Sequence, residues 1–220
     1  MNIFDIIGPV MIGPSSSHTA GAVKIGNAVH NIFAKKIDKA VIHLYNSFSD
    51  TGKGHGTDTA LIGGLLGFRP DDERIVDSYK IAKERGIEID VVWENGLNEK
   101  YAPNTAVVEV WGEGENASIT AASVGGGRIS ATQIDGYDTY LTCEHDTLIT
   151  IHKDVVGVVA KVSSIFAQYG VNIAFLKLYR KFSGEEMMVV ETDDPICDEI
   201  VSKVLEIDEI YKASSVKKII

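Results

Sequence analysis

The alternation of apolar and polar positions divides the chain into two stretches with different rhythms. Residues 20–34, AGAVKIGNAVHNIFA, put Val23, Ile25, Ala28, Val29, Ile32 and Phe33 on one broad face at helical spacing, which predicts a helix. Residues 38–47, DKAVIHLYNS, alternate as a half-buried strand does. TGKGHGT then reads as a glycine-rich turn, with a helix over about 58–66 after it. Residues 71–85, DDERIVDSYKIAKER, begin with acids and end with Lys83 and Arg85, an order that suits a helix dipole. Four further strands are expected over 87–94, 105–111, 117–124 and 129–137.

From Thr147 the rhythm changes. A strand over 147–152 leads through KDVVG to a helix over 157–169, which Gly170 closes as a C-cap would. Strands 171–179 and 186–192 flank the turn KFSGE, Pro195 opens a helix over 196–206, and a strand over about 209–218 ends the set. That order is βαββαβ, the ferredoxin-like arrangement. The fold class expected is α+β: a mixed-sheet domain over residues 1–140, then a ferredoxin-like domain over 147–220, joined by the polar stretch YLTCEHD.

Charge and composition narrow the function classes. The formal charge is −10 and the isoelectric point about 5.0. A general binder of phosphate backbones carries a basic stripe, so no nucleic-acid partner is expected; a small local anion site stays open. No apolar run reaches the roughly 18 residues of a membrane helix, so no membrane partner is expected. The start, MNIFDIIGPVMIG, has neither a basic opening nor a cleavage motif, and the expectation is a cytoplasmic chain with reduced thiols. Its two cysteines, Cys143 and Cys197, have no metal-ligand spacing, and neither do His30, His43, His145 and His152. Two thiols also fall short of the three or four thiolates that usually hold an iron–sulfur cluster.

Three constellations could carry chemistry. The first is Ser15-Ser16-Ser17-His18-Thr19 before the first helix. Free N–H groups at a helix start attract anions, and hydroxyls there cap the helix or bind a carboxylate or phosphate. Capping alone needs one hydroxyl of the five residues. No GxxxxGK[ST] accompanies them, which argues against a nucleotide P-loop. The second is Thr51-Gly52-Lys53-Gly54-His55-Gly56-Thr57-Asp58, where glycines leave one imidazole uncrowded beside a cation. The third is Tyr101 to Thr105, where Asn104 and Thr105 could bind a carboxylate, with the Gly125–Gly127 run as a further close-approach loop. On spacing alone, a capped helix start, a glycine turn and a strand start remain open alternatives to these readings. No Ser-His-Asp order or GxSxG elbow is present.

In combination, MNIFDIIGPVMIGPSSSHTAGAVKIGNA and SDTGKGHGTDTALIGGLLG resemble the β chain of iron–sulfur-dependent L-serine dehydratases, over nearly all 220 residues. The tail, with DVVGVVAKVSSIFAQYGVNIAFLK, resembles an ACT domain, a small-ligand regulatory module. The first domain is also similar to the allosteric substrate-binding domain of some phosphoglycerate dehydrogenases. The first resemblance implies a subunit that deaminates L-serine to pyruvate and ammonia together with an α subunit. That α subunit would ligate a [4Fe–4S] cluster whose open iron acts as Lewis acid on the serine hydroxyl. It implies His55 and His18 as catalytic residues, and Ser15, Ser16, Ser17, Thr19, Asn104 and Thr105 as substrate-binding residues. In the ACT domain it implies Asp154, Gly157 and Asn172 as effector-binding residues, and self-association. Ala102 stands where family members often carry histidine. The second resemblance implies an alternative, an amino-acid-sensing regulatory protein with no catalytic role.

Overall fold

A computed structural model describes residues 9–181 and 184–219. The chain separates into two compact units, dividing between Thr142 and Cys143.

The first unit is built on a six-stranded sheet. Its strands are β1 (Lys39–Asn46), β2 (Glu88–Trp93), β3 (Asn104–Gly112), β4 (Glu115–Gly125), β5 (Arg128–Ile134) and β6 (Tyr137–Leu141). Their spatial order is β2-β1-β3-β4-β5-β6, and only the β1–β2 pair is parallel. Ala40, Ile42 and Leu44 of β1 pair with Val110, Val108 and Ala106 of β3, and all six are fully buried. The opposite face of β1 is only half-buried, as its alternation predicts.

Against this sheet lie α1 (Gly21–Phe33), α2 (Ser47–His55) and α4 (Ser78–Glu84), and α3 (Thr57–Leu65) packs on α1. The apolar face of α1 is the one read from the sequence: Val23, Ile25, Ala28, Val29, Ile32 and Phe33 are all buried. It packs on α3 at very short range. A Cβ added to Gly64 would lie 2.0 Å from the Val23 carbonyl oxygen, and one added to Gly26 2.2 Å from the Leu61 carbonyl oxygen. Two glycines facing each other let the helix backbones meet where any side chain would hold them apart.

Three expectations change. TGKGH is not a turn but the last part of α2. Gly52 sits inside the helix because a Cβ there would meet the Trp93 ring at 2.9 Å, so it serves close packing rather than chain reversal. The break is at Gly56 alone, left-handed at φ 65°. The expected helix over 71–85 is a 3-10 turn, Glu73–Asp77, followed by α4; the Asp72 carboxylate accepts from the Arg74 N–H and starts the turn. The strand expected over 129–137 is a hairpin. Asp135 and Gly136 both have positive φ, the two-residue Asp-Gly turn, and β6 follows.

The second unit has the expected βαββαβ order: β7 (Asp146–Lys153), α5 (Val158–Gln168), β8 (Ile173–Arg180), β9 (Glu185–Thr192), α6 (Asp198–Leu205) and β10 (Ile210–Val216). Its sheet runs β10-β7-β9-β8, antiparallel throughout. Leu148, Met188, Val190 and Ile210 from the sheet meet Val158, Val162 and Phe166 of α5 and Ile200 and Val204 of α6. The start of α6 is set by Cys197 as N-cap, two residues beyond Pro195. No helix of the described residues is long and apolar enough to cross a membrane.

Candidate two-histidine site

The first unit joins two of the sequence constellations. Ser16–Ala20 form one π-helical turn that runs directly into α1. Such turns are rare and concentrate at functional sites. Ser15 caps it: its Oγ accepts from the His18 N–H at 3.2 Å, and its carbonyl oxygen accepts from the Thr19 N–H at 2.8 Å. The turn carries His18 under α2, where only 8% of the residue stays exposed.

There His18 meets His55 from the end of α2, with ring centroids 4.8 Å apart and planes tilted by 34°. Phe48, fully buried, presses edge-on at 5.3 Å. The His18 Nε2 lies 2.9 Å from Thr51 Oγ1, and 3.3 Å from both the carbonyl oxygen and the Oγ of Ser47. Its Nδ1 lies 3.1 Å from Ser17 Oγ, which in turn lies 3.3 Å from Ser15 Oγ. On His55, Nδ1 donates to the Thr51 carbonyl oxygen at 2.9 Å. Its Nε2 has no hydrogen-bond partner among the described residues.

Burial pushes the His18 pKa down. A hydrogen bond to the Ser47 carbonyl opposes this, and repulsion from the nearby His55 adds to it. The folded value lies below the ordinary 6.5, so between the two the unfolded chain binds more protons and stability rises with pH. The thermal midpoint should therefore fall as pH drops below about 6.5. His18→Gln should flatten part of that slope; an unchanged slope in thermal melts of the variant would show that His18 titrates normally.

The remaining candidates are placed less simply. Ser15, Ser16 and Ser17 are half-buried and share the His18 turn. Thr19 is turned inward beneath Gly13, only 2% exposed, so its hydroxyl faces the protein. Asn104 sits opposite Asn46 in the β1–β3 pair, at the sheet end from which α2 departs, and its Oδ1 is buried without a protein partner. Thr105 is fully buried, and its hydroxyl donates to the Ala102 carbonyl oxygen, which ties the preceding loop down. Of the triple glycine at the β4–β5 turn, Gly127 lies against Pro9 and Ala20 beside the start of α1, while Gly125 faces open space.

One organising residue escaped the sequence reading. Asn46, 5% exposed, holds φ 53° and ψ −125°, a sparsely populated backbone conformation. Its Nδ2 donates towards the carbonyl oxygens of Tyr101, Asn98 and Ala102, and its Oδ1 accepts from the Asn98 N–H. It thus clamps the loop before β3 and aims Ser47, the next residue, at His18. The available signal was an asparagine between a strand and a glycine-rich stretch, since Asn tolerates positive φ and bonds nearby backbone.

In the second unit the three effector candidates do not converge within one chain. Asp154 pairs with Arg180 at 3.1 Å and Gly157, at φ 101°, opens α5. Asn172 follows the far end of α5 and donates to Asp193 at 2.6 Å. Eight-residue strands separate the two ends of this sheet, about 25 Å. Nearby lies a buried contact that the sequence did not suggest, His152 Nε2 to Glu186 Oε2 at 3.3 Å; burial pushes the His152 pKa down against the pull of Glu186, and Arg180 Nε meets Glu186 Oε1 at 3.0 Å.

The donor set gives no place for an iron–sulfur cluster among the described residues. They contain no group of three or more His, Cys, Asp or Glu arranged to hold a metal. Cys143 is buried, and burial together with Glu191 and Glu144 pushes its thiol up to about 12, the reverse of what a thiolate ligand needs.

The first unit thus closes a hydroxyl-lined turn on a pair of histidines, and the second is a separate βαββαβ unit. The chain belongs to the serine dehydratase beta-chain family: residues 2–133 match the family model "Serine dehydratase beta chain", and residues 147–208 match the ACT domain. It is 38% identical to the probable L-serine dehydratase beta chain of Bacillus subtilis, over 98% of this chain and 97% of that one. It is 36% identical to the L-serine dehydratase beta chain of Peptoniphilus asaccharolyticus, over 97% of each. A D-3-phosphoglycerate dehydrogenase of Synechocystis is 27% identical over 89% of this chain, which spans 35% of that protein.

Proposed function

We propose that this chain is the β subunit of an L-serine dehydratase, acting with an α subunit to convert L-serine to pyruvate and ammonia. The observation that carries the reading is the His18–His55 pair beside Ser15–Ser17, with no hydrogen-bond partner to His55 Nε2 among the described residues. The family implies a [4Fe–4S] cluster. Since the described residues of this chain do not fit one, the α subunit would hold it.

The reaction asks this chain for two things. Serine loses its Cα proton and its hydroxyl, and the resulting enamine tautomerises and hydrolyses to pyruvate and ammonium. A carboxylate must be held so that the Cα–H bond points at a base, and protons must be taken up and returned. The hydroxyls of Ser15 and Ser16 are suited to donate to a carboxylate, each such charge-assisted bond contributing about 1.5–3 kcal/mol, while Ser17 gives its proton to His18 Nδ1 and holds that ring beside them. His55 is the less buried of the pair, and its Nε2 is suited to exchange a proton with the substrate. Thr19, its hydroxyl turned inward, belongs to the same turn. Asn104 and Thr105, at the sheet end from which α2 departs, are proposed to complete the wall.

The ACT unit is proposed to sense an amino acid by self-association. Asp154 and Gly157 lie at one end of α5 and Asn172 beyond the other, so a two-fold pairing of copies would set one copy's Asn172 against the other's Gly157 loop. Reconstitution tests the whole reading. The chain alone should be colourless and inactive, and the pair with its α subunit brown, oxygen-sensitive and serine-deaminating. An α subunit fully active by itself would leave the amino-acid-sensing alternative in its place.

A further inference from the structure

We propose that Thr51 is a positioning residue that holds the two histidines in complementary tautomers, His18 protonated on Nε2 and His55 protonated on Nδ1. The inference rests on the reading of these histidines as the acid–base pair, and adds the element that sets their roles.

The assignment follows from which groups can only accept. The Thr51 hydroxyl donates to the Ser47 carbonyl oxygen at 2.9 Å, one helical turn back in α2. With its proton so committed, Thr51 Oγ1 can only accept at its 2.9 Å contact with His18 Nε2. Nε2 therefore carries the proton. The Ser47 carbonyl oxygen, another acceptor, lies at 3.3 Å from the same atom, at the long limit for such a bond. The His18 Nδ1 is then bare and accepts from the Ser17 hydroxyl. Burial favours this neutral form.

The other histidine is set by the same residue in the opposite sense. A carbonyl oxygen cannot donate, so the 2.9 Å contact between His55 Nδ1 and the Thr51 carbonyl oxygen fixes the proton on Nδ1. Nε2 of His55 is then the bare nitrogen. The two rings lie 4.8 Å apart with different nitrogens bare: Nδ1 of His18, which accepts from Ser17, and Nε2 of His55, which has no hydrogen-bond partner among the described residues. One threonine thus serves His18 with its side chain and His55 with its backbone. The two contacts can therefore be broken separately.

Long-range proton–nitrogen NMR of the full chain, with His18 and His55 signals identified by His18→Gln and His55→Gln, reads each tautomer directly. The expected result is opposite tautomers in the wild type. In Thr51→Val, which keeps the shape and removes the acceptor, the His18 signature should move towards a mixture of tautomers while His55 stays unchanged. Thr51→Ser should restore it. In the reconstituted enzyme, Thr51→Val should lower kcat about tenfold or more with KM little changed, and Thr51→Ser should recover most of it. Retention of the Nε2–H form by His18 in Thr51→Val would overturn the proposal, whatever the kinetics. A shifted His18 tautomer with unchanged kcat would uphold the positioning by Thr51 and remove His18 from the acid–base pair.

Discussion

His55→Ala in the reconstituted two-chain enzyme is expected to lower kcat about a hundredfold or more while leaving KM for L-serine within a few-fold. A positioned acid–base group contributes about 10²–10⁴ to rate, and the loss appears in kcat when the group acts on the transition state rather than on bound substrate. His55 suits this test because its Nδ1 is anchored to the Thr51 carbonyl oxygen while its Nε2 has no hydrogen-bond partner among the described residues, so removal takes away that atom. It is also only partly buried at the end of α2, so the fold should survive. Ser16→Ala gives the complementary result. A hydroxyl that holds the substrate carboxylate equally in ground and transition states should raise KM and spare kcat. Steady-state kinetics of both variants read the split, and near-wild-type constants in both would remove this turn and this helix end from the active site.

Gly64→Ala should destabilise the first unit by about 3 kcal/mol, enough to lower its thermal midpoint by roughly 10 °C. The methyl group would sit 2.0 Å from the Val23 carbonyl oxygen and 2.8 Å from Gly26 Cα. Both atoms are backbone of a helix that is itself clamped against the sheet, so neither can swing aside as a side chain could. Relief requires α1 and α3 to separate. The start of α1 is the end of the His18 turn, and separation would move His18 relative to His55. Differential scanning calorimetry of the free chain measures the first effect. A melting point within about 2 °C of wild type would mean that the helices are not seated on each other as described.

Some of this architecture was legible in the residues because local rules agreed with the global outcome. In α1 the apolar stripe coincides with the buried face, and in β1 alternation coincides with one covered and one half-covered side. The second unit has short connections and a periodic pattern in every element, so its order followed directly from sequence. The misreadings have different causes. TGKGH looks like a turn because glycine usually serves chain reversal; here Gly52 is helical, made necessary by the Trp93 ring from a strand 41 residues away in sequence. No local window contains both. The hairpin at Asp135-Gly136 was within reach, since that dipeptide is the usual signal for such a turn.

The sequence by itself determined the residue types at the site and the two-part organisation: hydroxyls and a histidine before one helix, a second histidine among glycines, and a change of rhythm from Thr147. These are properties of composition and spacing, which survive without coordinates. Only the tertiary structure decided which of those residues face each other. It buried Thr19 and Thr105, set Asn172 and Gly157 at opposite ends of their unit, and put Thr51 between the histidines. The physical reason is that hydrogen-bond direction depends on distance and on which partner still has a proton to give. His18 and Thr51 lie 33 residues apart along the chain, and only the packing of the π turn under α2 brings them within 2.9 Å.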